Sequence, residues 1–254
     1  LARPELSVWV VTGDGDALSI GGNHIIHTLR RNVDLKILLF NNKVYGLTKG
    51  QFSPTSEIGM ETKSSPAGTV VQPFRTLSLA LGAEATFVAR AIDTEVQHIQ
   101  EMISRMAVHK GSAFLEIYQN CSVFNDGAFD ELKDRKSKAD HLLVLEHGKP
   151  LVFGKSGDAC VKLDTARMRL YVGKLGEKDG GVEVVHDESN PDPALAMLLA
   201  RCRPPEFPTP IGVLRAVSAP TFEDQSLAQK NAELAARGEG SLEQLLYSGD
   251  RWDV

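Results

Sequence analysis

The 254-residue chain is 42% hydrophobic and 24% charged, ordinary for a globular protein and enough for one large α/β domain or a domain with a smaller appendage. A formal net charge of −5 argues against a general nucleic-acid binder, because neutralising phosphates takes clustered Lys and Arg; Arg30-Arg31 and the run from Lys133 to Lys138 read as solvated helix faces. No apolar run reaches the roughly 20 residues of a membrane span and no secretory signal is present, while Cys121, Cys160 and Cys202 are too scattered for a disulfide framework, so no membrane partner and a cytoplasmic location are expected.

In chain order, Ser7-Val-Trp-Val-Val-Thr12 predicts a buried strand. Such a strand needs neighbours on both sides, which leads us to expect an upstream segment or a partner chain beside it. After Gly13-Asp-Gly-Asp16 one helix is expected, with Leu18, Ile25, Ile26 and Leu29 on its apolar face. Leu35 to Phe40 is the next strand, closing on Asn41-Asn42, and the unit predicts a right-handed parallel crossover. Lys43 to Gly68 is polar and rich in Pro, Ser, Thr and Gly, which reads as a long functional loop.

Pro73 to Gly82 predicts a helix and Ala85 to Ala91 a strand. A helix capped by Asp93 or Thr94 follows, with Ile99, Met102, Ile103 and Met106 at helical spacing, then a strand at Ala113 to Tyr118. This alternation predicts an α/β fold, a parallel sheet with helices on both faces, over residues 1–140. Residues 141–254 read as a smaller α+β extension: short strands at His141 to Phe153, Arg169 to Lys174 and Val182 to Val185, then helices within Pro191 to Arg203 and Phe222 to Leu246. The Pro-rich stretch from Arg203 to Pro210 separates the helical parts.

The informative constellation is Gly13-Asp14-Gly15 at one strand end and Asn41-Asn42 at the next, some two dozen residues later. In parallel sheets ligands bind beyond the carboxyl ends of the strands, where these two loops converge. A diphosphate ester needs a cation to offset its charge, and Mg²⁺ takes an octahedron of oxygens. Asp14 and Asn42 can supply side-chain oxygens and Val44 a backbone carbonyl, while Gly13 and Gly15 allow close backbone approach. This is similar to the thiamine-diphosphate motif. A dinucleotide site is disfavoured, because the third glycine of that fingerprint is missing. His24 and His27 lie one helical turn apart without a third ligand nearby, so a core or interface role is expected for them.

A longer match narrows the family. Val11 to His24, Phe40 to Thr55, Ser65 to Gly68, Ala83 to Arg90, His109 to Ile117 and Gln119 to Asn125 resemble beta subunits of 2-oxoacid:ferredoxin oxidoreductases, continuously from Leu6 to about Asp130. His147-Gly-Lys-Pro150, Pro210 to Arg215 and Tyr247 to Trp252 resemble the C-terminal region of bacterial 2-oxoglutarate members.

The resemblance implies thiamine-dependent oxidative decarboxylation of a 2-oxoacid, with electrons passing through an iron–sulfur cluster to ferredoxin and coenzyme A accepting the acyl group. Asp16, Gly46 and Leu47 join the implied cofactor-binding set. The carboxylate that activates the aminopyrimidine is expected from an alpha subunit, so no catalytic residue is assigned in this chain. Cys121 matches a single [4Fe–4S] ligand, and a cluster is expected only if upstream cysteines are supplied, since four thiolates are needed.

Leu47 and Lys49 fall where the family's loop approaches the thiamine ring. A lysine there can pair with the distal carboxylate of 2-oxoglutarate, a contact of about 1.5–3 kcal/mol, roughly ten- to a hundredfold over pyruvate. Pyruvate or another 2-oxoacid, a non-redox thiamine decarboxylase or carboligase, and a cofactor-less scaffold remain as alternatives.

Overall fold

The computed structural model describes residue 3, residues 5–250 and residue 252; part of the matched segment at Tyr247 to Trp252, namely Arg251, lies outside them. β1 (Val8–Gly13) leads into α1 (Asp14–Leu18) and α2 (Gly22–Arg30), then β2 (Leu35–Asn41). After a long irregular stretch come α3 (Thr76–Gly82), β3 (Phe87–Ile92), α4 (Val96–Val108) and β4 (Ala113–Tyr118). Short helices α5 (Asp130–Lys133) and α6 (Lys138–His141) precede β5 (Leu142–Leu145). The rest comprises β6 (Val152–Phe153), β7 (Ala159–Asp164), β8 (Arg169–Lys174), β9 (Val182–Glu183), α7 (Ala194–Ala200), β10 (Thr209–Ala216), α8 (Phe222–Arg237) and α9 (Leu242–Leu246).

Six strands form the main sheet in the order β1-β2-β4-β3-β10-β5. The β1, β2, β4 and β3 pairings are parallel, as the strand–helix alternation predicts, and β10 runs antiparallel to β3. Gly13, Asn41, Tyr118 and Ile92 consequently end at one edge of the sheet. Helices cover both faces. Met102 and Met106 of α4 pack on Phe87, Leu115 and Ile117 on one side, while Leu29, Leu77, Leu81 and Leu199 from α2, α3 and α7 meet Phe114 on the other. Each such fully buried side chain stabilises the fold by roughly 1.5–3 kcal/mol.

Among the described residues β1 pairs with β2 alone, and Val8, Val10 and Val11 are exposed, where the sequence expects a neighbour from an upstream segment or partner chain. Several expectations are corrected. The single helix after Gly13 is two, because the chain turns at Ser19 to Gly21 and the Gly21 amide bonds to the Asp16 carbonyl at 2.8 Å. That approach is open only to glycine, since a Cβ there would lie 2.7 Å from the Asp16 oxygen. Neither Asp93 nor Thr94 caps α4; Glu95 precedes it without a side-chain cap, and Asp93 instead accepts from the Asn120 amide (2.9 Å) and Lys133 (3.2 Å). His24 and His27 are exposed on α2, which rules out a core role.

The region beyond residue 140 is not wholly a separate element either. β5 and β10 hydrogen-bond into the main sheet, and β6 to β9 form a second, antiparallel sheet whose Leu151, Val161, Leu170 and Val184 share a core with α3 and α7. α8 and α9 carry no buried residue; α8 is tied at its start by Asn32, whose amide donates to the Ala219 and Pro220 carbonyls at 3.2 and 3.1 Å.

His109 contributes to the pH-dependence of the fold. His109 packs against Phe87, its Nε2 lies 2.8 Å from the Thr86 hydroxyl, and burial first, then neighbouring Lys36, lowers its pKa to about 4. Between about pH 4 and its ordinary value near 6.5 the unfolded chain binds the proton and the folded chain does not, so His109 makes stability rise with pH across that window. Urea melts of wild type and His109→Gln from pH 4 to 7 should show a shallower rise for the variant. Parallel curves would remove His109 as the cause.

Candidate functional site

The edge where β1, β2 and β4 end gathers the predicted constellation. Asp14 is the first residue of α1, directly after β1, and its carboxylate is 2% exposed. Its Oδ2 accepts from Ser53 Oγ at 2.5 Å and Thr55 Oγ1 at 2.6 Å, and the Asn42 backbone amide also donates to the carboxylate. Desolvation raises its pKa, and these hydrogen bonds only partly offset that. Among the described residues no Lys, Arg or His forms an ion pair with Asp14. A buried carboxylate without a cation is costly, so this cradle is suited to one supplied from outside.

The other donors stand beside it. Asn42 Oδ1 accepts from the Val44 amide at 3.2 Å and keeps a second lone pair, and the carbonyl of buried Val44 accepts no hydrogen bond among the described residues. This all-oxygen set fits a hard divalent cation. Gly15 lies under Tyr45, whose hydroxyl donates to the Gly15 carbonyl at 3.3 Å; a Cβ at residue 15 would stand 2.0 Å from the Tyr45 ring. Gly13 precedes the helix, and Asp16 is exposed on its outer side.

Residues 45–51 form a tight loop closed by the Tyr45 amide on the Gln51 carbonyl at 2.8 Å. Gly46 lies inside it, Leu47 is 95% exposed at its tip, and Lys49 is exposed with a positive φ of 69°. Phe124 packs beneath, close to Gly46 and Gly50. Phe124 belongs to the turn that begins at Cys121, and Asn125 of the same turn donates to the Asn42 carbonyl at 3.0 Å. Cys121 is thus half-buried in a turn anchored to the Asn42 loop. Cys160 and Cys202 are buried elsewhere, and no cluster of three or more metal-ligating side chains occurs among the described residues.

Sequence reasoning missed the layer behind this cradle. Thr55 Oγ1 also lies 2.8 Å from Asn41 Oδ1, its single proton shared between that oxygen and Asp14, and Asn41 Nδ2 donates to Glu116 Oε1 at 2.7 Å. Glu116 is fully buried on β4; Thr76 donates to it as well, and Arg90 Nε on β3 pairs with its Oε2 at 2.8 Å. Arg90 in turn stacks over Tyr118, 4.7 Å from its centroid. The signal was present as charged residues inside apolar strands, Arg90 in Phe87–Ile92 and Glu116 in Ala113–Tyr118, which burial tolerates only when paired.

Residues 1–117 match the family model described as thiamine pyrophosphate enzyme, C-terminal TPP binding domain. The chain is 48% identical over 259 aligned residues to 2-oxoglutarate oxidoreductase subunit KorB of Mycobacterium tuberculosis, covering 100% of this chain and 68% of that one. It is 37% identical over 188 residues to 2-oxoglutarate synthase subunit KorB of Archaeoglobus fulgidus, covering 70% and 69%. The match to the 2-oxoacid:ferredoxin oxidoreductase subunit beta of Saccharolobus solfataricus, 43% identical, covers 54% of this chain and 45% of that relative. Among solved structures, the 2-oxoglutarate:ferredoxin oxidoreductase of Magnetococcus marinus, with 2-oxoglutarate, coenzyme A and succinyl-CoA bound, superimposes with a TM-score of 0.70 at 30% identity, covering 98% of this chain and 70% of that one. A buried acid cradle at the sheet edge, the paired asparagines beside it and similarity to KorB subunits over about two thirds of their length lead to one conclusion: the chain belongs to the beta-subunit family of 2-oxoacid:ferredoxin oxidoreductases.

Proposed function

We propose that this chain, with an alpha subunit, catalyses oxidative decarboxylation of 2-oxoglutarate to succinyl-CoA and passes the electrons to ferredoxin. The observation that carries this is the buried Asp14 carboxylate, lacking a cation and joined to Asn42 at the sheet edge. Thiamine diphosphate is the cofactor, and Mg²⁺ would be held by Asp14, Asn42 and the Val44 carbonyl. Gly13 and Gly15 admit the diphosphate, with Asp16, Gly46 and Leu47 around it. Bound thiamine diphosphate supplies the nucleophilic carbon and the electron sink for decarboxylation. The chain's own residues would hold the cation at Asp14, Asn42 and Val44, and the 45–51 loop and the Cys121 turn are anchored beside the Asn42 loop. The activating glutamate comes from the alpha subunit.

Cys121 would contribute one ligand to a [4Fe–4S] cluster if the other three thiolates are supplied from outside these residues. Its turn is tied to the Asn42 loop, which favours the electron-transferring reading over a non-redox thiamine decarboxylase. Titration calorimetry of the co-purified alpha–beta complex with thiamine diphosphate tests the core of the proposal. Binding in Mg²⁺ and its loss in EDTA are expected; no binding in Mg²⁺ overturns it.

Substrate choice rests on Lys49. It is exposed two residues from Leu47 and has no carboxylate partner among the described residues, so its ammonium is free to meet the distal carboxylate of 2-oxoglutarate. Lys49→Ala in the complex should lower kcat/KM for 2-oxoglutarate roughly ten- to a hundredfold and leave that for pyruvate within about twofold. An unchanged preference would sink the assignment.

A further inference from the structure

The loop that carries Leu47 and Lys49 has no core of its own: no residue from 45 to 52 is buried. It closes on the Tyr45 amide to the Gln51 carbonyl at 2.8 Å, the Gly50 amide to Tyr45 at 2.9 Å and the Lys49 amide to Gly46 at 3.1 Å. Lys49 has a φ of 69° and Gly50 one of 95°. A lysine in left-handed backbone persists only where its surroundings over-determine it.

The turn after β4 supplies that constraint, and it is itself well braced. The Gln119 amide donates to the Asn41 carbonyl at 3.0 Å, and Asn125 Nδ2 donates to the Asn42 carbonyl at 3.0 Å. The Asn125 amide closes the turn on the Cys121 carbonyl at 3.0 Å, while the Asn120 side chain accepts from the Gly127 amide at 3.0 Å and donates to Asp126 at 2.7 Å. Within this turn Val123 is 75% exposed, whereas Phe124 is half-buried against the loop. One edge of its ring faces Gly50, where a Cβ would lie 3.1 Å from Phe124 Cδ1. The other faces Gly46, where a Cβ would lie 3.9 Å from Cδ2. The ring therefore spans the two glycines that bracket Leu47 and Lys49.

We infer that Phe124 is a positioning residue for substrate selection: its ring seats the 45–51 loop so that Lys49 is presented to the distal carboxylate of the 2-oxoacid. The inference rests on the proposed role of Lys49. Without the ring the loop spreads over other conformations, and apparent affinity falls with the fraction that remains competent. A distal carboxylate is held alike before and during the reaction, so the loss falls on KM rather than kcat.

Steady-state kinetics of the alpha–beta complex with 2-oxoglutarate and with pyruvate tests this on wild type, Phe124→Ala, Phe124→Tyr, Lys49→Ala and the Phe124→Ala/Lys49→Ala double variant. Phe124→Ala should raise KM for 2-oxoglutarate roughly tenfold, with kcat and the KM for pyruvate within about twofold of wild type. Amide hydrogen exchange should quicken at Lys49 and Gly50 in that variant, and calorimetry should find thiamine diphosphate affinity within about twofold. Phe124→Tyr keeps the ring and should match wild type. In the double variant, loss of the ring should add less than about twofold to the effect of Lys49→Ala, because a displaced lysine and a missing one are equivalent. An unchanged KM for 2-oxoglutarate in Phe124→Ala overturns the inference, whether or not exchange quickens. Equal losses with pyruvate, or weakened thiamine diphosphate binding, also overturn it, since either marks collapse of the site rather than loss of a seat. An effect of Lys49→Ala without one of Phe124→Ala sinks this inference alone, whereas Lys49→Ala without effect sinks the Lys49 reading and this inference with it.

Discussion

Asp14→Asn is expected to abolish Mg²⁺-dependent thiamine diphosphate binding and to lower turnover of the complex by about a thousandfold or more, while making the cofactor-free protein more stable. The two effects have one cause. Asp14 is buried, bonded to Ser53, Thr55 and the Asn42 amide, and has no cationic partner among the described residues. Its raised pKa means that the folded state favours the neutral acid, so ionised Asp14 costs stability above the folded pKa, and that cost fades as pH falls towards the unfolded value. Asparagine is neutral at every pH and nearly the same shape. Without cofactor at pH 7 the variant should melt higher by about 1 kcal/mol, or roughly 2–4 °C for a chain of this size. The gap should close at acid pH and reverse when Mg²⁺ and thiamine diphosphate are added to wild type. Equal melting temperatures without cofactor, or cofactor binding retained by the variant, would remove Asp14 from the role of cation ligand.

The sequence was most legible where local pattern and tertiary role coincide. Ala113–Tyr118 and Arg169–Lys174 were read to the residue, because each alternation or apolar run ends at a turn signal. That Asp14 and Asn42 meet was legible because both follow strands that run parallel and side by side. β10 was not, since its start lies in the Pro-rich segment, and Pro210 at its second position argues locally against a strand. β7 was missed because Lys162, a charged residue, sits fully buried in it, satisfied by the Glu177 carbonyl and Asp179 across the small sheet. β1 shows what a run cannot say by itself: its β-branched residues fit a buried strand, but burial depends on what stands beside it, and among the described residues that is β2 alone. The cradle's support was hidden for the same reason. Ser53 and Thr55 are ordinary loop residues until the fold brings them across to Asp14.

That support carries the second large effect. Glu116→Leu should destabilise the protein by about 3–5 kcal/mol, because it leaves the Arg90 guanidinium buried at 5% exposure with its carboxylate gone. It also strands Asn41 Nδ2 and the Thr76 hydroxyl, each losing its buried carboxylate acceptor. The double variant Glu116→Leu/Arg90→Met should recover most of that loss, since exchanging a whole buried pair for apolar groups costs far less than breaking it. Cofactor affinity separates the two roles of the network. Asn41 holds Thr55, and Thr55 holds Asp14, so the double variant should fold yet bind thiamine diphosphate about tenfold or more weakly. Chemical denaturation and calorimetry on the same three proteins decide it. A single variant losing less than about 1 kcal/mol would mean the pair adds little to stability. A double variant with native affinity would mean that Ser53 and Asn42 alone orient Asp14. Charge buried between β3 and β4 is then explained by function only if both stability and affinity respond, because packing alone would be served as well by leucine and methionine.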